Sequence, residues 1–136
     1  MEILGLPEST ITVIHNGLNY PYQILSNRAE LLRKYSDLIP FVLHVGGNQW
    51  YKNRLGVLKV FARLHWRVPE LKLVMVGKPF TEPMKQYIRD CQLEKVIISR
   101  VSIANQELEE LYNCATAFLF PSLVEGFGWP IVEAQS

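Results

Sequence analysis

Cysteine and net charge are both scarce in this sequence. Cys91 and Cys114 lie far apart and follow no metal-ligand spacing, so we expect two buried thiols in a reducing compartment and no metal site. The formal net charge is only +1, which gives no basic surface of the kind that binds nucleic acid. No apolar run reaches the length of a membrane span, and residues 1–8 lack a signal-peptide pattern. These absences favour a cytoplasmic location and exclude nucleic acid as a partner.

The remaining composition is that of a globular chain. It has 136 residues, of which 49% are hydrophobic and 20% are charged, enough for one domain with a substantial core. Apolar strand patterns alternate with helical spacings from residue 41 onward. The predicted strands are 41–45, 71–76, 95–99 and 117–120, and the predicted helices run to about residue 66, from a cap at Thr81 to about Cys91, and from a cap at Asn105.

Residues 1–40 have a different organisation. Residues 10–16 are rich in β-branched side chains and predict a strand, and residues 28–35 predict a helix. One strand and one helix are too little for a separate domain. We therefore divide the chain into an interdomain strand, linker and helix over 1–40 and a Rossmann-like domain over 41–136.

Alternating strands and helices with short connections predict a parallel sheet covered on both faces. The expected class is α/β with a doubly wound parallel sheet, in which the first and fourth strands lie side by side. Ligands bind at such a reversal, beyond the carboxyl ends of the strands. The loops at 46–53 and 122–129 should therefore meet at one crevice.

The stretch 118–133 predicts the ligand that this crevice binds. Gly126 and Gly128 permit a tight turn, and a proline then suits the start of a helix. A turn of this kind directs backbone N–H groups and a helix dipole at an anion, typically a phosphate. Glu125 and Glu133, the latter in the predicted first helical turn, flank this position. Carboxylates beside a phosphate make sense if they bind hydroxyls, so the expected ligand carries both phosphates and sugar hydroxyls.

Four segments together resemble a known family. PSLVEGFGWPIVEA at 121–134 resembles the E-x7-E signature of retaining GT-B glycosyltransferases of the family 4 type. VIHNGLN at 13–19 is similar to the segment that enters the interdomain region, and FVLHVGGNQWYKN at 41–53 is similar to the first strand and phosphate loop of the donor domain. Residues 102–112 resemble the segment before the signature. The resemblance implies the partial C-terminal domain of a GT-B fold, truncated in its last helix.

The same resemblance implies a hexosyltransferase that moves a sugar from a UDP-, GDP- or ADP-sugar to an acceptor hydroxyl, without a further cofactor. The acceptor would be a glycan, a lipid or a small molecule held by a missing N-terminal domain. That missing half could also make peripheral contact with the cytoplasmic face of a membrane. The fragment alone is expected to be inactive.

Residue roles follow from the resemblance as well. Lys52 would contact the diphosphate, and Glu125 would hold donor-sugar hydroxyls near the reacting carbon, so both are predicted to be catalytic. Glu133 would bind the ribose hydroxyls, and Val101 would lie beside the base. The remaining donor-binding positions are Gly47, Asn48, Gly126, Phe127 and Gly128.

The predicted chemistry needs positive charge and no metal. The leaving diphosphate gains negative charge as the glycosidic bond breaks, and preorganised positive groups stabilise that state most. Lys52 and the helix start near residue 130 would supply them. Many relatives also place an arginine shortly before the lysine, whereas Gly46, Gly47 and Asn48 stand there in this chain. Arg54 is then a candidate for the second positive charge.

Other interpretations remain open for the same residues. Lys52 could be an ordinary solvated lysine, and Glu133 could simply complement a helix dipole. The two glycines match only part of a dinucleotide-binding fingerprint. As a whole, the chain could be a non-catalytic sugar-nucleotide binding module, or part of a GT-B epimerase or phosphorylase. A phosphorylase would need a pyridoxal lysine, for which no motif is present.

Overall fold

In the computed structural model, which describes residues 12–136, four parallel strands form one sheet in the order β3-β2-β1-β4. The strands are β1 (Phe41–Gly46), β2 (Lys72–Gly77), β3 (Ile97–Val101) and β4 (Ala117–Phe118). The helices are α1 (Arg28–Lys34), α2 (Arg54–Arg67), α3 (Glu82–Asp90), α4 (Asn105–Cys114) and α5 (Trp129–Gln135), and a 3-10 turn covers Trp50–Lys52. The predicted α/β parallel architecture is confirmed.

Strand β1 lies at the centre of this sheet. It pairs with β2 over six residue pairs, from Phe41 with Lys72 to Gly46 with Gly77, and with β4 through Val42 and Leu43. The first and fourth strands are therefore neighbours, as predicted. This pairing brings the loops that follow β1 and β4 to the same edge of the sheet.

Alternation along β1 divides the core into two layers, because successive strand residues point to opposite faces. Val42 packs in a layer formed with α2 and α3, whereas Phe41 and Leu43 pack in a layer formed with α1 and α4. Helix residues in the first layer include Val57, Leu58, Phe61, Met84 and Ile88, and those in the second include Leu31, Leu108 and Leu111. Cover on both faces explains the unbroken apolar runs of the strands.

The segment before α1 is fixed to α4 by polar contacts. Glu109, which is buried, accepts hydrogen bonds from the Tyr20 hydroxyl at 3.2 Å and from the Gln23 backbone N–H at 2.9 Å. The Asn113 side chain accepts from the Leu25 N–H at 2.9 Å and donates to the Gln23 carbonyl at 3.0 Å. Side chains therefore satisfy backbone groups that a strand would otherwise pair.

The predicted strand over 10–16 is not confirmed. Residues 12–16 form no strand, and residues 10 and 11 lie outside the described part of the chain. β-branched residues favour an extended backbone, but a strand forms only where a neighbouring strand is available for pairing.

Several element boundaries also differ from prediction. Strand β3 begins at Ile97 rather than residue 95, and β4 ends at Phe118 rather than residue 120. One ladder bond continues past β4, from the Leu119 N–H to the Leu43 carbonyl at 2.8 Å. Pro121 has no N–H with which to extend this ladder.

The helix starts required similar corrections. The N-cap of α4 is Ala104, and Asn105 is its first helical residue. Thr81 does precede α3, but its side chain makes no capping hydrogen bond with a described residue. Glu133 is the fifth residue of α5, past the first turn in which it was predicted. Across the described residues, no helix has the length and apolar character to cross a membrane.

Gly77 permits the close approach of β1 and β2 at their carboxyl ends. Its φ is +141°, and a Cβ atom at this position would lie 2.1 Å from the Gly46 carbonyl oxygen. Only glycine tolerates both the backbone conformation and the contact. Gly17, by contrast, has nothing within 4 Å of its ideal Cβ position.

We predict that Gly77→Ala lowers the free energy of unfolding by at least about 2 kcal/mol, because strain and overlap add. Urea unfolding followed by circular dichroism measures the change. Gly17→Ala is the control and should unfold like the unaltered chain. Equal stability of the two variants would show that the strand ends can separate without cost.

Candidate functional site

The loops after β1 and β4 are held together by backbone contacts. The Leu123 N–H donates to the Tyr51 carbonyl at 2.7 Å, and the Asn53 side-chain amide donates to the Pro121 carbonyl at 3.1 Å. Asn53 has a left-handed backbone, with φ of 51°, where the 3-10 turn ends and α2 begins. Asparagine tolerates this conformation better than most residues. The change from the 3-10 turn to α2 therefore depends on the left-handed backbone of Asn53.

Lys52 and Glu125 meet at this junction. The Lys52 ammonium lies 2.7 Å from Oε1 and 2.9 Å from Oε2 of Glu125, although 73 positions separate the two residues. Their side chains are 16% and 22% exposed. The ammonium also lies 5.6 Å from the ring centroid of Tyr51 and 5.3 Å from that of Phe120. The site therefore holds its charges against aromatic surface.

The ion pair keeps Glu125 ionised. Burial by itself raises the pKa of this carboxyl group, but the hydrogen bond and positive charge of Lys52 bring the pKa below its ordinary value. An ionised carboxylate accepts hydrogen bonds and donates none. Glu125 can therefore bind hydroxyl groups, and Lys52 can bind an anion.

His44 lies beneath this junction and is fully buried. Its Nδ1 lies 2.9 Å from the Leu119 carbonyl oxygen. Because a carbonyl only accepts, Nδ1 carries the proton and Nε2 has a free lone pair. Nε2 has no hydrogen-bond partner among the described residues, and a Cβ on Gly46 would lie 3.0 Å from it. The ring thus ties β1 to the residue that follows β4.

Burial, with smaller contributions from the charges of Arg54 and Lys52, lowers the pKa of His44 to about 4 against the opposing effect of the Leu119 hydrogen bond. The imidazole is therefore neutral at physiological pH. Its burial and its hydrogen bond to the Leu119 carbonyl are those of a structural histidine.

Glu133 lines a cleft of about 210 Å³ together with Tyr22, Tyr112 and Asn113. The Tyr112 hydroxyl donates to its Oε2 at 2.9 Å, and the Tyr22 ring meets the Tyr112 ring edge-on at 5.6 Å. Burial, and then the charge of Glu133, raise the pKa of Tyr112. The structure brings Lys52 and Glu125 together but forms no described hydrogen bond between either of them and Glu133.

Tyr112 is a residue whose role the sequence did not reveal. It lies on α4, and its ring packs against Phe118 at 5.6 Å, centroid to centroid. A buried tyrosine hydroxyl usually has a hydrogen-bond partner. That rule indicates that a partner exists, but the sequence does not indicate that the partner is Glu133.

The glycine turn before α5 is partly as predicted. Gly128 is the N-cap of α5 with φ of 84°, a conformation suited to glycine. Gly126 has no described heavy atom within 4 Å of its ideal Cβ position. The Phe127 side chain is exposed and lies 4.4 Å, centroid to centroid, from the Trp129 ring. The Phe127 ring is therefore accessible to a ligand.

The other predicted donor-binding residues lie along the same edge of the sheet. The Asn48 side chain donates to the Pro79 carbonyl at 2.9 Å and accepts from Arg54. A Cβ on the adjacent Gly47 would lie 2.4 Å from the Gln49 side chain. Val101 ends β3, two strands from β1. Gly47 and Asn48 follow β1, and Val101 ends β3. Because β2 lies between these two strands, a ligand that touched all three residues would cross the end of β2.

Comparison with known proteins identifies the class of this chain. Residues 33–136 match the family described as "Glycosyl transferases group 1", so the chain belongs to that family. It is 25% identical over 127 residues to the O-antigen chain mannosyltransferase RfbU of Salmonella typhimurium, covering 93% of this chain and 33% of that protein. It is 27% identical over 138 residues to the serotype-specific mannosyltransferase WbdA of Escherichia coli, covering 94% of this chain and 17% of that one.

The chain thus spans a third or less of the length of these curated relatives. Two solved structures share its fold. The C-terminal domain of the group 1 glycosyl transferase LpcC from Francisella tularensis matches with a TM-score of 0.69 at 23% identity, covering 83% of this chain and 62% of that one. WaaG, a glycosyltransferase of lipopolysaccharide biosynthesis, matches with a TM-score of 0.69 at 18% identity, covering 81% of this chain and 30% of that one. The predicted GT-B domain architecture is confirmed.

We predict that His44 makes stability fall as the pH falls from about 6.5 to about 4. The unfolded chain takes up a proton on this histidine below pH 6.5, whereas the folded chain resists until about pH 4, so protons favour unfolding between the two values. The contribution of His44 is complete above this window and is reduced by roughly 3 kcal/mol at its lower end.

Urea unfolding at pH 7, 5.5 and 4.5 tests this dependence. His44→Asn keeps a side-chain donor for the Leu119 carbonyl but does not titrate, so the variant should lose less stability over the window. Because the carboxylates titrate in both proteins, the comparison isolates His44. If the stabilities of the two proteins fell in parallel with pH, the lowered pKa of His44 would be contradicted.

Proposed function

We propose that this chain is the donor-binding half of a retaining glycosyltransferase of the family 4 type, which moves a sugar from a nucleotide-sugar to an acceptor hydroxyl. The observation that carries this proposal is the contact of Lys52 with Glu125, at the point where β1 and β4 lie side by side. Ligands of doubly wound sheets bind at this position. A cation and a hydroxyl-binding carboxylate are the groups that a sugar diphosphate requires.

In the proposed reaction, the bond between the anomeric carbon and the donor phosphate breaks as the acceptor oxygen bonds to that carbon. Negative charge grows on the leaving diphosphate, and the Lys52 ammonium stabilises it in the transition state. Glu125 accepts hydrogen bonds from donor-sugar hydroxyls and holds the reacting carbon in place. The leaving phosphate takes the acceptor's proton on the same face of the sugar. No step in this scheme uses a metal ion.

The remaining donor contacts extend this site. Glu133 would bind the ribose hydroxyls through Oε1 while Tyr112 holds its Oε2, and Val101 would lie beside the base. Gly47, Asn48, Gly126, Phe127 and Gly128 would contact the sugar and phosphates. Because the curated relatives are named mannosyltransferases, mannose is the first donor sugar to test.

The acceptor would be bound outside this sequence. We propose a second domain that holds a glycan, a lipid or a small-molecule acceptor and faces the crevice from the opposite side. A peripheral contact of that domain with the cytoplasmic face of a membrane would bring a lipid acceptor within reach. The alternative, a non-catalytic sugar-nucleotide binding module, would use the same donor contacts without transfer.

The proposed donor site predicts that this chain binds a nucleotide. UDP, GDP and ADP, each with its common sugar conjugates, are titrated calorimetrically into the chain and into two variants. One nucleotide class should bind, and both Lys52→Ala and Glu133→Ala should weaken it, because each removes one donor contact. Lys59→Ala, on the exposed face of α2, is the matched control and should bind normally. Failure of all three nucleotides to bind a folded chain would sink the donor-site proposal.

Transfer is the second prediction. In a polypeptide that carries this sequence together with its acceptor domain, Lys52→Ala should slow transfer about a hundredfold, the effect of losing one transition-state stabiliser. Near-normal turnover would refute that role. The 136-residue chain should bind nucleotide yet transfer no sugar by itself. Transfer by the isolated chain would refute the two-domain mechanism, whereas binding without transfer by the longer polypeptide would favour the binding module.

A further inference from the structure

Arg54 is a buried cation at the start of α2, two residues after Lys52. The residue is only 4% exposed. Its Nη1 donates to the Lys78 carbonyl at 2.8 Å and to the Asn48 side chain. Its guanidinium carbon lies 5.5 Å from the centroid of the Phe80 ring. These contacts join the loops that follow β1 and β2.

The remaining donors of this side chain are unused. Nε and Nη2 are buried and have no hydrogen-bond partner among the described residues, and no carboxylate in the described part of the chain forms a salt bridge with Arg54. Arginine stays protonated in proteins. A buried charge with no counter-ion is costly, so its presence calls for an explanation beyond stability.

The position of Arg54 suggests what that explanation is. The Arg54 guanidinium donates to the Asn48 side chain, two residues past β1, and the Lys52 Cβ lies 3.7 Å from the ideal Cβ position of Gly46, so both residues lie near the end of β1. The charge of Lys52 is matched by Glu125 at 2.7 Å, whereas that of Arg54 is unmatched by any described residue. Arg54 therefore adds a positive charge that no described carboxylate pairs with, beside the candidate donor site.

We propose that Arg54 supplies the second positive charge of the donor site, acting on the donor diphosphate from beneath the loops rather than by contact. This inference rests on the proposed function. Because Nε and Nη2 are shielded from solvent, Arg54 does not contact the donor and acts on the diphosphate through its electric field. Charges interact more strongly in the protein interior than in water, and a fixed charge costs no reorganisation during reaction.

A purely structural role is the competing explanation. As a clamp, Arg54 would matter only for its hydrogen bonds to Asn48 and Lys78, and its loss would disturb the whole crevice. As a source of charge, it would matter for the diphosphate and not for the nucleoside. The two explanations therefore predict different losses for ligands with and without phosphates.

The test compares three substitutions in the 136-residue chain. Arg54→Lys keeps the charge but loses the planar fork, and Arg54→Gln keeps a donor but loses the charge. Arg54→Met replaces the buried charge with an apolar chain of similar length and gives up the hydrogen bonds to Asn48 and Lys78. It provides a neutral variant if Arg54→Gln fails to fold.

Calorimetry measures the affinity of each variant for inorganic pyrophosphate, for the nucleoside diphosphate that binds the unaltered chain, and for the corresponding nucleoside. The neutral variants should bind both phosphate ligands about tenfold more weakly, as expected for losing one nearby charge, and should bind the nucleoside unchanged. Arg54→Lys should retain most of the phosphate affinity.

The outcomes separate this inference from the proposed function. If Lys52→Ala weakens diphosphate binding while the neutral Arg54 variants bind normally, the role of Arg54 is refuted and the donor site stands. Equal weakening of nucleoside and diphosphate binding would also refute it, in favour of a clamp. If no nucleoside diphosphate binds the unaltered chain, both proposals fail together.

Discussion

The contact of Lys52 with Glu125 is the interaction on which the candidate site depends. It forms only because β1 and β4 are neighbours in a parallel sheet, which brings two loops to one edge although their residues lie 73 positions apart. The hydrogen bonds of Asn53 and Leu123 across the same junction hold the loops in register. Without this pairing, the chain would contain a lysine and a glutamate but no site.

Beneath the junction, the fold places polar groups where apolar ones would give greater stability. His44 is buried with one ring nitrogen unpaired, and Arg54 is buried with no counter-ion among the described residues. Each departs from the rule that buried polar groups find partners. Departures of this kind concentrate at functional sites. His44 contacts the chain after β4 and Arg54 contacts the loops after β1 and β2, so both border the candidate crevice, and the charge of Arg54 suits it to receive an anion.

The sequence predicted the layers of the fold well and its junctions less well. Helix α1 and strand β1 lie within a residue of their predicted ends, because a buried apolar pattern is a local signal that the core then uses directly. The start of β3, the cap of α4 and the turn that holds Glu133 all differed. Each of these depends on where the neighbouring chain runs, and propensity does not contain that information.

Apolar periodicity determined by itself that this chain would form a parallel sheet with helices on both faces, since each element must bury its apolar side. The glycines and glutamates of residues 121–134 likewise indicated the family. Only the tertiary structure decided which charges meet. In the structure, Glu125 forms an ion pair with Lys52, and Glu133 accepts a hydrogen bond from Tyr112. Arg54 has no carboxylate partner among the described residues. The reason is physical: burial acts on each segment separately, whereas an ion pair requires two distant segments to arrive at one place.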